Sequence, residues 1–259
     1  MKASFDKAAQ NYDDTFSNSK IGKLQRNVVY HHLEKLLSNQ KLNILEINCG
    51  TGEDAIWLAK KNHIVIATDI SNEMIAVANT KESHQNGIFV QADITTITEQ
   101  FKDKKFDTVF SNFGGLNCLD KNELSQFLNS VSTILSEKGK LILVIMPKNT
   151  LWEKVYFILK GKFKTAFRRA KKVAFANVDG ISVPTYYYNP KDIVNLSKSN
   201  FDCLAVKPVG FFIPPSYLEP FFKNKKGFLR FLNKLESKIK NWSFLSKFAD
   251  HYLIVLQKI

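Results

Sequence analysis

Short apolar runs alternate along this chain with stretches whose apolar positions recur every three or four residues. Lys41 to Ile47 suits a buried parallel strand, and Ala55 to Lys61 beyond the next turn reads as a helix. His63 to Asp69 follows as a second strand, Asn72 to Asn79 as a helix, and Gly87 to Ala92 as a third strand. Phe106 to Ser111 is the fourth strand and Glu123 to Leu135 a helix. Lys140 to Met146 is the fifth strand, after the turn signal Glu137-Lys138-Gly139. Repeated strand–helix alternation predicts an α/β fold with a parallel, doubly wound sheet.

The first forty residues read as helical. Ile21, Leu24, Val28, Val29, Leu33, Leu36 and Leu37 form a stripe expected to cover the sheet edge. Beyond Pro147 the rhythm breaks. Thr150 to Lys172 predicts one long, basic, aromatic-bearing helix, and Ile181 to Tyr188 a strand. Helix Pro190 to Ser199 and strand Phe201 to Lys207 resume the core. A second excursion, Gly210 to Phe248, holds Pro214-Pro215 and Pro220, then an amphipathic helix with Phe228, Phe231, Leu232, Leu235 and Ile239 on one stripe. Arg230, Lys234 and Lys238 lie on another face. The closing strand, His251 to Gln257, arrives without a crossover helix and is expected to insert antiparallel. The predicted organisation is an N-terminal helical lid over 1–40, a core from 41–147, 190–208 and 249–259, and cap insertions over 148–189 and 209–248.

With 259 residues and 44% hydrophobic content, the chain can bury one α/β core plus insertions. It shows no signal-type leader and no stretch of eighteen apolar residues, so the default expectation is a cytoplasmic protein, extended by peripheral attachment to a membrane. Cys49, Cys118 and Cys203 are far apart and form no CxxC or Cys/His cluster, so neither a disulfide framework nor a metal site is expected. Cys49 reads as a small buried loop residue. The net charge of +13 is concentrated between Lys154 and Lys172 and between Lys223 and Lys247. Such faces attract an anionic membrane surface, an acidic carrier protein, nucleic acid or an acidic metabolite, unless they are simply solvated.

The chemistry centres on Glu46-Ile47-Asn48-Cys49-Gly50-Thr51-Gly52, where a strand ends in an acid and a tight turn. Gly50 and Gly52 allow the backbone to approach a ligand, and the following helix N-terminus faces it. Gly50 to Ala55 also satisfies the loose dinucleotide pattern. Glu46 separates the alternatives: a carboxylate repels a pyrophosphate and attracts an ammonium and sulfonium, which favours S-adenosylmethionine over NAD. Asp69 ends the second strand, where an acid takes both ribose hydroxyls; capping of the next helix is its other reading, which Ser71 can supply. Ile70 and Met74 would flank an adenine, although Met74 also suits the core. Asp93 would accept the adenine amine, with Ile94 packing on the ring.

Those residues in that order resemble the class I S-adenosylmethionine-dependent methyltransferases, in particular the small-molecule branch that includes quinone-biosynthesis methyltransferases. The resemblance covers Phe5 to about Met146. It implies a Rossmann-like seven-stranded sheet with the last strand antiparallel. It also implies that the Glu46–Gly52 loop holds the methionine part of the cofactor, Asp69 the ribose and Asp93-Ile94 the adenine. Phe5 to Asp13 is similar to the family's N-terminal lid, whose Tyr, here Tyr12, closes over the cofactor. Asn48 departs from the family pattern, standing where a glycine is usual. Asn tolerates positive φ, so the turn survives, and its amide can contact the methionine carboxylate or ammonium.

Asn112, expected to contact the cofactor, and Asn117, expected to contact the acceptor, follow the fourth strand, at the carboxyl edge where open α/β sheets bind substrate. Both are poor bases, and the chain lacks the motifs of nucleic-acid base methylation. Tyr12, Tyr186, Tyr187, Tyr188 and His251 are the polar candidates for assisting transfer; none is anchored by a motif, and a structural role is expected for His251. Tyr186 to Tyr188 with Phe211, Phe212, Ile213, Pro214, Pro215 and Tyr217 would wall an apolar acceptor pocket. The reading is a methyltransferase acting on a small lipophilic acceptor, O-methylation favoured. An RNA methyltransferase and a non-catalytic S-adenosylmethionine-binding protein are the alternatives.

Overall fold

The computed structural model describes residues 5–37, 40–81, 87–178 and 180–259; the other residues of the predicted lid, and Asp179 of the first insert, lie outside them. The strands are β1 (Asn43–Ile47), β2 (Ile64–Asp69), β3 (Gly87–Gln91), β4 (Phe106–Ser111), β5 (Leu135–Ile145), β6 (Ala174–Val178), β7 (Ile181–Thr185), β8 (Phe201–Val209) and β9 (His251–Lys258). The helices are α1 (Lys20–Leu36), α2 (Glu53–Lys60), α3 (Asn72–Thr80), α4 (Ile97–Gln100), α5 (Lys121–Ser130), α6 (Leu151–Leu159), α7 (Phe163–Ala166), α8 (Pro190–Ser197), α9 (Glu219–Phe222) and α10 (Lys226–Ile239).

Seven strands form one sheet in the order β3-β2-β1-β4-β5-β9-β8. β9 runs antiparallel to both its neighbours, β5 and β8, and the other six strands are mutually parallel. Alternate side chains sort to two faces, as the pleat requires. Leu45, Val109, Leu141, Leu143, Ile254 and Leu256 join a core with α5 and α8, while Ile44, Val65, Phe110, Ile142, Val144 and Val255 join one with α1, α2 and α10. The stripe of α1 therefore packs on a face of the sheet and not on its edge, because Ile21, Val29 and Leu33 meet residues of the central strands.

Both inserts depart from their predicted local structure for electrostatic reasons. The basic segment after Pro147 is not one helix: α6 ends before Gly161, at φ 67°, and the chain folds back through α7 and a short 3-10 turn, Arg168–Ala170. A continuous helix would hold Arg168 and Arg169 roughly 22 Å from Glu153 along its axis. The break instead brings both guanidinium groups onto that buried carboxylate. β6, unforeseen in the sequence, then pairs with β7 as an antiparallel hairpin.

In α10 the buried face is Leu229, Leu232, Glu236 and Ile239, while Phe228 and Phe231 of the predicted stripe turn outward and Leu235 is half-buried. Glu236 sets that rotation. Its carboxylate accepts backbone N–H groups of Gly210 (2.9 Å), Phe211 (3.2 Å), Phe212 (2.6 Å) and Ile213 (3.2 Å). A polar residue in an otherwise apolar stripe thus satisfies four donors of the loop after β8. Glu236→Ala strands those donors and is expected to cost about 3 kcal/mol in a urea titration; an unchanged midpoint would show that the loop finds other partners.

Candidate active site

The carboxyl ends of the parallel strands meet at one edge, and the reversed direction of β9 brings its first residue there too. Register places Val209 opposite His251, and Ile145 opposite Tyr252. A cavity of about 610 Å³ opens at this edge, within the range of small-molecule sites. Asn48, Gly50, Asp69, Ile70, Met74, Ile94 and Asn112 line one side. Arg168, Arg169, the β6–β7 hairpin, Tyr187, Pro215, Tyr217, Asp250 and His251 line the other, and Tyr12 and Phe16 stand over the loop.

The loop itself is built from positive-φ positions: Asn48 at 58°, Gly50 at 53° and Gly52 at 80°. Asn48 keeps the turn without a glycine, and its amide donates to Ser111 Oγ at 3.3 Å. At Gly52 a Cβ would come within 2.5 Å of the Phe89 ring, so the position admits no side chain without displacement. Gly50 N–H donates to Asp69 Oδ2 and Ser71 N–H to Oδ1, both at 2.9 Å. Ser71 caps α3 by accepting from Met74 N–H, so the cap is not Asp69's task. Burial raises the Asp69 pKa against these N–H bonds. The lid is tied to the same loop, since Thr51 donates to Asp13 at 2.6 Å, Lys81 pairs with Asp13, and Ser71 donates to Asp6.

Several expected contacts lie elsewhere. Glu46 does not line the cavity. It sits behind the loop, 1% exposed, with Oε2 lacking any hydrogen-bond partner, and burial followed by repulsion from Asp54 pushes its pKa well up. Cys49 is buried behind the loop as expected of a packing residue, and Gly52 acts through its backbone. Asp93 is half-buried, with Oδ1 accepting from Thr95 N–H and Oγ, and only Ile94 of that pair reaches the cavity wall. Asn117 is fully buried: its amide donates to the carbonyls of Met146 and Tyr186 and its oxygen accepts from Met146 N–H. It braces β5 to the segment after β7 and faces no acceptor. Tyr186 packs on the core, and Tyr188 is a core residue whose hydroxyl donates to Leu119 O. Phe212 packs in the opposite core, leaving Pro215, Ser216 and Tyr217 as that segment's cavity residues.

Sequence reasoning missed two buried ion pairs. Arg26 of α1 lies 3.0 Å from Asp54 of α2, which also accepts from Asn112, and its guanidinium rests over the rings of Phe16 and Phe113. Arg169 reaches Glu153 and Asp250, both at 2.8 Å, and Asp250 in turn lies 3.2 Å from His251 Nδ1 and accepts from Gln25. Arg169 stood within a run of lysines, and nothing local in the sequence distinguished it. Tyr12 is a phenol held protonated, pushed up to about 12 by burial.

A family pattern described as a methyltransferase domain matches residues 44–139. This segment carries the sequence pattern of a methyltransferase domain. A putative methyltransferase of Bacillus subtilis, YqeM, is 38% identical over 105 residues, 40% of this chain and 42% of that one. A malonyl-[acyl-carrier protein] O-methyltransferase of Bacillus anthracis is 29% identical over 177 residues, 66% of this chain and 58% of that one. The fold matches that of the magnesium protoporphyrin IX methyltransferase of Synechocystis, solved with S-adenosylhomocysteine, at TM-score 0.58 and 17% identity, covering 91% of this chain and 83% of that one. The chain spans about two fifths of the length of the first curated relatives it matches, 42% and 40%. The cofactor against which the cavity is to be tested is S-adenosylmethionine, whose demethylated product is bound in the Synechocystis neighbour. The residues present fit it: the loop leaves a backbone cradle, and Glu46 Oε2, buried and unpartnered, is the complement of a cationic ammonium.

Two outcomes follow. Asn48→Gly preserves the backbone turn and removes the amide; if the amide contacts the methionine group, calorimetry will show S-adenosylhomocysteine affinity falling about fivefold, and an unchanged Kd means no contact. Burial opposes ionisation of Asp250, but His251, Arg169 and Gln25 outweigh it and hold its pKa well below the ordinary value. The resulting stabilisation is complete above the unfolded pKa of about 3.9 and is lost as pH falls through the folded one. The stability gap between the wild-type protein and Asp250→Asn should therefore narrow from about pH 5 downward; a constant gap contradicts the assignment.

Proposed function

We propose that the chain transfers a methyl group from S-adenosylmethionine to the hydroxyl of a small, lipophilic acceptor. The observation that carries this reading is one cavity shared by the cofactor loop and the inserts, its lining mostly apolar, with Arg168 and Arg169 on the insert side engaged by Glu153. Asn48, Gly50, Asp69, Ile70, Met74 and Ile94 would hold the cofactor, with Glu46 acting on its ammonium from behind the loop, and the bound cofactor supplies an electrophilic methyl on a sulfonium. Apolar hairpin side chains with Pro215 and Tyr217 exclude water and orient the acceptor, which favours in-line attack.

O-methylation is supported by the Asp250–His251 pair. Asp250 Oδ2 lies 3.2 Å from His251 Nδ1, close enough to favour a proton there although the two are not aligned as a hydrogen bond, which would leave Nε2 as the accepting nitrogen. It is placed to accept the hydroxyl proton as the oxygen–methyl bond forms and the sulfur–methyl bond breaks. Tyr12 is too firmly protonated for that role. The B. anthracis relative named for a carrier-bound acid keeps a carrier-linked acceptor within this reading. The mostly apolar lining, with Arg169 already paired to Glu153 and Asp250, favours an uncharged acceptor over RNA.

The test is turnover of lipophilic hydroxyl compounds with S-adenosylmethionine, alongside calorimetry. S-adenosylhomocysteine should bind and NAD should not. His251→Asn should lower kcat about a hundredfold while leaving the affinity for S-adenosylhomocysteine within twofold. Cofactor binding without turnover of any acceptor supports the non-catalytic alternative, and tight NAD binding alone would falsify the proposal.

A further inference from the structure

The excess positive charge belongs wholly to the inserts. Residues 148–189 and 209–248 hold seventeen of the thirty-seven lysines and arginines but four of the twenty-four aspartates and glutamates, and the rest of the chain balances at twenty of each. The described carboxylates of the inserts turn inward as well. Glu153 and Glu236 are buried, and Glu219 accepts the backbone N–H groups of Lys20 and Ile21. What remains outside is cationic.

The same segments are unusually apolar at their surface. Of seventeen exposed large apolar side chains among the described residues, thirteen lie in the inserts, including Leu159 (82% exposed), Phe163 (61%), Phe221 (57%), Phe231 (53%), Trp242 (52%) and Phe244 (64%). Several of them border a ring cluster centred on the buried Phe222, against which Phe221 and Phe228 pack. Trp152 of α6 meets Phe222 of α9 at 6.0 Å, Phe222 stacks on Phe228 of α10 at 6.0 Å, and Phe228 continues to Phe231 at 6.4 Å. Tyr156 reaches Tyr217 across the same junction. Lysines sit among the rings, with Lys225 Nζ 3.2 Å from the Phe221 centroid and Lys160 Nζ 4.5 Å from that of Tyr156.

We propose that this joint face of α6, α9 and α10 docks on an anionic lipid bilayer, the rings and Leu159 entering the headgroup boundary while lysines meet lipid phosphates. Both halves of the surface need a partner, and an anionic bilayer supplies an apolar phase directly beneath a sheet of negative charge. A second copy of the chain would set two cationic faces against each other. An acidic carrier protein or an RNA would engage the lysines yet leave the aliphatic residues Val155, Ile158 and Leu159 of α6 in water. No helix of the described residues is long and apolar enough to cross a membrane, so the contact is peripheral. Arg168 and Tyr217 belong to these inserts and also line the cavity. A lipophilic acceptor could therefore pass from the leaflet to the site, a consequence that rests on the proposed methyl transfer; the docking does not.

The test is flotation of the full chain with vesicles of phosphatidylcholine alone or mixed with phosphatidylglycerol, at low and high salt. Binding should require phosphatidylglycerol and weaken with salt. It should fall about tenfold in Lys223→Gln/Lys225→Gln/Lys226→Gln, and by a similar factor in Leu159→Ser/Phe221→Ser/Phe231→Ser. All these side chains are exposed, and circular dichroism with S-adenosylhomocysteine calorimetry checks that the variants stay folded. Absence of binding to anionic vesicles overturns the proposal. So does binding indifferent to the serine variant, or capture of an acidic carrier protein or RNA without vesicle binding. Vesicle binding by a protein that takes no S-adenosylhomocysteine keeps the docking face and removes the methyl-transfer reading.

Discussion

The buried guanidinium of Arg169 is the constraint on which the insert side of the cavity depends. A charge removed from water must be paired and fully hydrogen-bonded or the fold loses several kcal/mol, on the order of 3–5 when a partner is missing. Arg169 meets that demand with Glu153 from the start of α6, the carboxylate of Asp250, and the Asp250 carbonyl at 3.0 Å. One side chain thus ties the folded-back insert to the residue that precedes β9. The break in the basic segment and the position of the β6–β7 hairpin follow from it. Asp250, fixed on one side by Arg169, lies 3.2 Å from His251 Nδ1 on the other.

The rest of the design separates two kinds of electrostatics. Inside, each buried charge near the site has a specific partner: Arg26 with Asp54, Arg169 with Glu153 and Asp250, Glu236 with four backbone N–H groups. Glu46 is the exception, with one oxygen unpartnered, and it stands directly behind the cofactor loop. Outside, the excess charge is positive and belongs to the inserts that also carry most of the exposed rings. A nearly neutral methyltransferase core wearing a cationic, aromatic cap accounts for both the composition and the placement of the cavity.

Much of the core was legible because its signals are local. Strand runs, turn glycines, and Asp69 at a strand end are each set by short-range chemistry, and even Asn48 at positive φ follows from the tolerance of one residue type. The last strand's direction was legible from the absence of a crossover helix. What escaped was set by partners far away in sequence. Asn117 looked like an acceptor contact because it follows β4, but its amide is consumed by Met146 and Tyr186. Of three consecutive tyrosines, only Tyr187 reaches the cavity, which depends on how the segment leaves β7. His251 gained its place only through the antiparallel seating of β9 between β5 and β8, and the stripe of α10 was displaced by Glu236 seeking loop N–H groups.

The central claim is that cofactor loop and inserts share one cavity with the reacting group between them. A crystal structure with S-adenosylhomocysteine tests it most directly. The account predicts adenosine between Ile70, Met74 and Ile94 with its ribose on Asp69, the ammonium toward Glu46, and the sulfur facing His251 and Tyr217. A ligand bound outside this cavity, or one whose sulfur points away from the inserts, would contradict it.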